Sequence, residues 1–300
     1  MSNRLLIVLM MMLCLPVFAQ DDSINDLMDD YVYDDEASVV LYVRYDADEM
    51  IAVRGLADID NGIPATTGDL YRIASITKPF VATLMLQLVE EGSLTLDDPI
   101  ANYLPDEIVN RVENANSATI RQMLQMTSGI YSYTDSEAFE DAVYDNPSYA
   151  WTAEETISFA FDEEAYFPAG DGYYYSNTNF NLAQMIIESI TGETLADLLQ
   201  SRIFDPLGMD RCYLETPDVF AQNVVRGYEY YNDYEDVTNI NDGVGLGDGG
   251  IVCSASDLAK FLPGLDTILT EDSLDAMLDT VDDGDGGQYG LGMGYYAIST

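Results

Sequence analysis

The sequence predicts an α+β fold, with strands near both ends of the chain and a helical stretch between them. Three observations predict it. Residues 38–45 (SVVLYVRY) and 50–56 (MIAVRGL) are rich in β-branched and aromatic residues and flank Asp46-Ala47-Asp48-Glu49, a hairpin pattern. From about 80 to 205, apolar residues recur at helical spacing between capping and stopping residues. Residues 289–298 return to a strand pattern, with glycines at 290, 292 and 294 on one side.

Taken in order, residues 21–30 carry Ile24, Leu27 and Met28 at the spacing of a short amphipathic helix, and the hairpin follows. Residues 58–64 (DIDNGIP) resemble a calcium loop faintly, but Gly62 stands where a third oxygen ligand should be, so the segment reads as a turn. The strongest helix covers 76–91. Ile76, Phe80, Leu84 and Leu88 run down one face with Val81, Met85 and Val89 beside them, Pro79 lies in the first turn, and Gly92 ends it. Its wide apolar stripe marks it as central to a lobe. Asp98 and Pro99 read as cap and first residue of a further short helix. Thr119 can cap a helix over 120–126, and Thr152 with Glu155 forms a capping box for one running to about Phe161. The turn-rich stretch 167–172 leads to Tyr173-Tyr174-Tyr175-Ser176-Asn177. Leu182, Met185, Ile186 and Ile190 then mark a helix closed by Gly192, and another spans 194–203. The glycine-rich segment 242–250 lacks the lysine of a phosphate-binding loop and reads as structural. Ser256 or Asp257 is expected to cap a helix through Leu262.

Three hundred residues, 48% of them hydrophobic, suit one large domain or two closely packed lobes. Acidic residues number 54 against 11 basic ones, a formal charge of −43. Such a chain repels nucleic acid and anionic membrane surfaces, and no basic run opposes this. Histidine is absent, which excludes Ser-His-Asp triads, Cys-His pairs and histidine-containing metal sites. Residues 1–19 read as a secretory signal: Arg4, then an apolar run from Leu5 to Phe18 too short for a confident membrane span, and Val17-Phe18-Ala19 as cleavage site. Leu13 before Cys14 disfavours a lipid anchor. The expected mature unit is a single domain, 20–300, secreted or periplasmic, with its helical lobe at roughly 80–205. Cys212 and Cys253 could pair in an exported protein, but nothing in the sequence sets their separation. Neither a cofactor nor a metal is expected, and the oligomeric state is left open.

The chemistry centres on Tyr71-Arg72-Ile73-Ala74-Ser75-Ile76-Thr77-Lys78. Residues three apart on a helix share a face, so the Lys78 amine can reach the Ser75 hydroxyl. A serine is a poor nucleophile without a base, and an amine serves when its surroundings lower its proton affinity. The helix start adds backbone N–H groups suited to an oxyanion. With only two lysines in the chain, Lys78 and Lys260, chance places a serine three residues before one of them about one time in ten. The pair therefore needs partners elsewhere, and Tyr175-Ser176-Asn177 offers candidates: a tyrosine oxygen near an ammonium can relay a proton, and an asparagine can hold both a lysine and a substrate amide. The alternative at this point is that Tyr175 is one of 22 tyrosines, set in an aromatic loop.

Ser75-x-x-Lys78 with Tyr175-x-Asn177 resembles the active site of class C β-lactamases and the related D-alanyl-D-alanine carboxypeptidases and esterases; class A enzymes carry S-D-N as the second element. The flanking segments are similar too: Gly55-Leu56-Ala57-Asp58, Leu88 to Leu94 with Leu96-Asp97-Asp98-Pro99, Thr127-Ser128-Gly129 (with Met126 where a histidine is usual), Pro168-x-Gly170, Pro206-Leu207-Gly208-Met209, and Gly249-Gly250 with Ser256-Asp257-Leu258. The resemblance covers about 35–296. It implies a β-lactamase/transpeptidase-like fold, in which an antiparallel sheet lobe flanked by helices meets an all-helical lobe at the site. It also implies a serine hydrolase that takes a small-molecule or peptide substrate, with Ser75 as nucleophile, Lys78 and Tyr175 moving the proton, and Asn177 holding Lys78 and substrate. One departure stands out. The family's third motif, K-T-G or H-x-G, has no counterpart, because no histidine occurs and no lysine or arginine follows Lys260. The expectation is a chain lacking its C-terminal strands and helix, or a homologue without activity. A different class of function, a non-catalytic envelope protein binding peptides or partners through the same cleft, stays open beside the hydrolase.

The acidic excess is spread along the chain, as in proteins adapted to high salt, where screening removes self-repulsion. The melting temperature is expected to rise between dilute buffer and molar salt, and equal values would refute the adaptation.

Overall fold

The computed structural model describes residues 22–29, 32–45, 48–230, 233–243 and 245–296. The signal segment expected at 1–19 lies outside them. The first helix, α1 (Asp22–Asp29), buries Ile24 and Met28 against Ala52, Leu41 and Val43 of the following hairpin, while Leu27 stays exposed. In that hairpin β1 (Val39–Tyr45) pairs antiparallel with β2 (Asp48–Arg54). Asp48 and Glu49, expected in the turn, belong to β2, where Glu49 sits opposite Arg44 and the unlike charges suit a cross-strand pair. Strands β3 (Leu56–Asp58) and β4 (Ile63–Pro64) close the next turn. The Asp58 carboxylate accepts hydrogen bonds from Asn61 N (3.0 Å), Asn61 Nδ2 (2.8 Å) and Arg226 Nε (2.7 Å), so its oxygens serve the turn itself.

Strand β5 (Leu70–Arg72) passes through a 3₁₀ turn at Ala74–Ile76 into α2 (Thr77–Glu90). The wide apolar stripe has the expected consequence. Phe80, Val81, Ala82, Met85 and Leu86 have no exposed surface, and Phe80 stacks on Phe261 with ring centroids 3.7 Å apart. A helical lobe follows: α3 (Asp106–Arg111), α4 (Ile120–Leu124), α5 (Glu137–Asp145), α6 (Ala153–Ser158), α7 (Thr178–Thr191), α8 (Leu195–Leu199) and α9 (Asp205–Leu207). Capping boxes at Thr119/Gln122 and Thr152/Glu155 start α4 and α6, and left-handed Gly192 ends α7. The helix expected to begin at Pro99 is only a 3₁₀ turn over Ile100–Asn102. Asp98 does not cap it; its carboxylate accepts from Thr95 N and Oγ1 and from the Tyr103 hydroxyl.

The chain then returns to strands: β6 (Cys212–Leu214), β7 (Tyr228–Tyr230), β8 (Tyr234–Asp236) and β9 (Ile251–Ser254). The sheet order is β5-β9-β6, antiparallel throughout, with β9 buried at its centre. Cys212 and Cys253 face each other across β6 and β9 and form a disulfide. Helix α10 (Ala255–Ile268) is capped by Ser254, ahead of the expected Ser256 or Asp257, because Ser254 Oγ accepts from Asp257 N. It runs past Leu262 and carries Pro263 within it. After α11 (Glu271–Leu278), the single strand expected over 289–298 is replaced by a meander of β10 (Val281–Asp282), β11 (Gln288–Tyr289) and β12 (Gly294–Tyr295). Gly292, left-handed at φ +75°, breaks the strand by packing onto α2, where a Cβ would lie 2.9 Å from the Lys78 carbonyl oxygen. Residues 297 and 298 lie outside the described residues. One apolar core joins α2 and the helical lobe to Ile251, Cys253 and Phe261 of the sheet side.

Gly129 and Gly192 both have positive φ, +69° and +72°, but a Cβ on Gly129 would meet the Phe167 carbonyl oxygen at 2.0 Å while one on Gly192 meets nothing within 4 Å. Gly192→Ala is expected to cost about 1–2 kcal/mol. Gly129→Ala is expected to cost on the order of 3 kcal/mol or more. Paired denaturant titrations check the difference, and equal losses would contradict the packing.

Candidate active site

The short passage from β5 into α2 places the two central residues at different depths. Ala74 takes φ +46°, a left-handed conformation that turns the chain sharply out of the strand. Ser75, in the 3₁₀ turn, is exposed to the cleft. Lys78, one turn further along, is 1% exposed. Its Nζ donates to Ser75 Oγ (3.0 Å), Asn177 Oδ1 (2.8 Å) and the Asp248 carbonyl oxygen (2.7 Å). An ammonium has three N–H bonds, and these three acceptors take them all.

Asn177 stands at the start of α7, its backbone N–H donating to Ser132 Oγ and its Nδ2 to Thr134 Oγ1, so the amide is held with Oδ1 towards Lys78. The loop carrying Asn177 is anchored by Met126, whose sulfur accepts from Ser176 N and Asn179 Nδ2. Tyr175 meets Lys78 through its ring face, with Nζ 4.8 Å from the centroid, and Phe180 lies on another side at 5.6 Å. The expected oxygen-to-amine contact of Tyr175 is thus replaced by a cation–π contact. The four residues singled out in the sequence, Ser75, Lys78, Tyr175 and Asn177, converge on one point.

Asp248 and Tyr133 were not singled out. The glycine-rich segment 242–250, expected to be structural only, carries the third acceptor for Lys78. Inside the cleft wall, the Tyr133 hydroxyl donates to Asp248 Oδ2 at 2.8 Å. Both side chains are buried, and Asp248 Oδ1 has no hydrogen-bond partner. Burial pushes the Asp248 carboxyl up to about 6, opposed by the Lys78 charge and the Tyr133 hydroxyl. Burial also drives the Tyr133 phenol well above its ordinary range, with Asp248 adding to it. Tyr133 is one of 22 tyrosines, and only its position four residues after Gly129 could have drawn attention to it. The cleft over Ser75 has a volume of about 340 Å³ and is walled by Arg72, Thr134, Asn177, Asp242 and Asp248 among others. Arg72 is held away from reaction chemistry by paired hydrogen bonds to Glu215 and a third to the Thr238 carbonyl.

Comparison with known proteins places this geometry. The profile of the Beta-lactamase family matches residues 24–297. Protein flp of Staphylococcus aureus (strain MW2) is 29% identical over 175 residues, 58% of this chain and 34% of that protein, so the match spans about a third of the relative. A D-stereospecific amidohydrolase from Streptomyces sp. has a similar structure, with a TM-score of 0.78 and 28% identity over 93% of this chain and 83% of that one. A penicillin-binding protein from Bacillus halodurans is similar at a TM-score of 0.78 and 26% identity, over 91% and 83%.

Asp248 also predicts a pH effect. Its folded value of about 6 lies above the unfolded one, so the folded state holds the proton more tightly. As pH rises past about 4, the unfolded chain ionises at this residue first, and stability falls until about pH 6, remaining lower above it. In Asp248→Asn this fall is absent. The stability of the variant relative to the wild type should therefore rise between pH 4 and pH 7, by on the order of 3 kcal/mol. Urea titrations at both pH values measure it; a difference that does not change with pH refutes the raised value.

Proposed function

The chain belongs to the Beta-lactamase family of serine hydrolases, and on that premise we propose that it acts through an acyl-enzyme at Ser75 on amide, ester or β-lactam carbonyls. The observation that carries this reading is the exposed Ser75 Oγ held 3.0 Å from the Nζ of buried Lys78. Ser75 attacks the carbonyl carbon, and its proton passes to Lys78, which must be neutral at that moment to accept it. The developing oxyanion is stabilised by the backbone N–H of Ser75 at the helix start. Asn177 and the Asp248 carbonyl keep Nζ under Oγ through the proton's departure and return. Tyr175, whose ring lies over Nζ, gives its phenol proton to the leaving group and recovers one from Lys78, which returns the amine to its neutral form. Water then attacks the acyl group and regenerates Ser75.

Cell-wall D-alanyl-D-alanine peptides and β-lactams are the substrate classes expected from the motifs, and the similarity to a D-stereospecific amidohydrolase adds simple amides. The domain is taken as 20–300 behind a cleaved leader, acting outside the cytoplasm. Among the described residues no helix is long and apolar enough to cross a membrane.

A fluorophosphonate is expected to label the wild type at Ser75 and to leave Ser75→Ala unlabelled. Lys78→Met should slow labelling by about 10²–10⁴-fold, the range for loss of a general base. Equal labelling of wild type and Ser75→Ala would remove Ser75 as nucleophile. Absence of labelling in both would favour the non-catalytic binder.

A further inference from the structure

The charges around the cleft are one-sided. Its ionisable walls are Arg72, Tyr133, Glu229, Asp242 and Asp248. Arg72 is committed to Glu215, which is 1% exposed, and to the Thr238 carbonyl. Lys78 beneath Ser75 has its three N–H bonds occupied. Among the described wall residues no cation is left to meet an anionic substrate, whereas three carboxyl groups line the space. Asp248 is 6% exposed; its Oδ2 accepts from Tyr133, but its Oδ1 has no hydrogen-bond partner, so one oxygen of a buried carboxyl in the cleft wall lacks a donor. Asp242 stands at the mouth, where desolvation holds it above the ordinary carboxylate range against the opposing charge of Arg72, and the like charge of Glu229 adds a smaller part. Two carboxyl groups on one side of a cleft form a site that a cation relieves.

We propose that this side of the cleft binds a protonated amino group of the acyl donor. Asp242 and Glu229 hold the ammonium by charge-assisted hydrogen bonds, and Asp248 deepens the negative potential from within the wall. The preferred substrates are then amides or esters bearing a free amine near the scissile carbonyl, and a carboxylate in that place is repelled. This deepens the serine-hydrolase reading, on which it rests for the reacting bond but not for the binding.

The test uses the full chain as Ser75→Ala, so that binding is measured without turnover. Phenylalanine amide, N-acetylphenylalanine amide and N-succinylphenylalanine amide are titrated by calorimetry at pH 7 in low salt. The free amine is expected to bind at least tenfold more tightly than the N-acetyl compound, and the succinyl compound more weakly still. Adding Asp242→Asn and Glu229→Gln should bring the amine-to-acetyl ratio towards one. Equal or tighter binding of the N-acetyl amide, no binding of any of the three, or a ratio that survives the double substitution overturns the proposal. The ratio measured on Ser75→Ala alone needs no change in the cleft acids and stands even if the variant with both acids replaced fails to fold. Fluorophosphonate labelling of the wild type is scored separately. Labelling at Ser75 without an amine preference rejects the amine site alone, and an amine preference without labelling supports the site and rejects the nucleophile.

Discussion

A lysine buried at 1% exposure is the constraint on which the rest of this structure depends. An ammonium removed from water costs several kcal/mol unless its hydrogen bonds are replaced. The replacements here come from three places far apart in sequence: the turn before α2, the start of α7, and the loop before β9. Satisfying Lys78 therefore brings the helical lobe and the sheet side together at one point. The same contacts leave Ser75 at the surface of the cleft with its oxygen against the amine.

The loop at 242–250 shows how such a point is held. Gly247 N donates to Gln184 Oε1 on α7, Ile251 N donates to Thr77 Oγ1 on α2, and Tyr133 ties down the Asp248 carboxyl. These bonds aim the Asp248 carbonyl at Lys78. The glycines are what permit so close a fit. A Cβ on Gly245 would meet the Glu215 carbonyl oxygen at 2.3 Å, and one on Gly250 would fall 2.5 Å from the Gly245 backbone. On the other wall, Ser132, Thr134 and Asn177 form a chain of hydrogen bonds that fixes which way the Asn177 amide faces.

Electrostatics differ between surface and cleft. Most of the acidic excess is solvated, where charges more than a Debye length apart scarcely interact. In the cleft the few cations are already committed and the low dielectric amplifies what remains uncompensated. Arg72 illustrates this: a positive charge beside Ser75 that would otherwise attract anions is neutralised by a carboxylate with no solvent-exposed side-chain surface. The sign of the cleft thus follows from pairing, not from the number of charges near it.

By itself the sequence determined the α+β order of elements, because hydrophobic period and caps are local signals. The apolar stripe of α2, the capping boxes at Thr119 and Thr152, and the stop at Gly192 are all legible this way. It also determined the pairing of Ser75 with Lys78, since three residues along a helical turn bring two side chains to one face. The convergence of Tyr175 and Asn177 on them could be read only through the family resemblance. Tertiary structure alone decided the rest. Whether Cys212 meets Cys253 depends on the β6–β9 register, and whether 289–298 is one strand depends on Gly292 packing against α2. That Asp248 and Tyr133 belong to the site, and that Arg72 is silenced by Glu215, depends on contacts between residues over 100 positions apart. Local spacing carries no information about such contacts. They exist because a buried charge must find its partners wherever the fold can bring them.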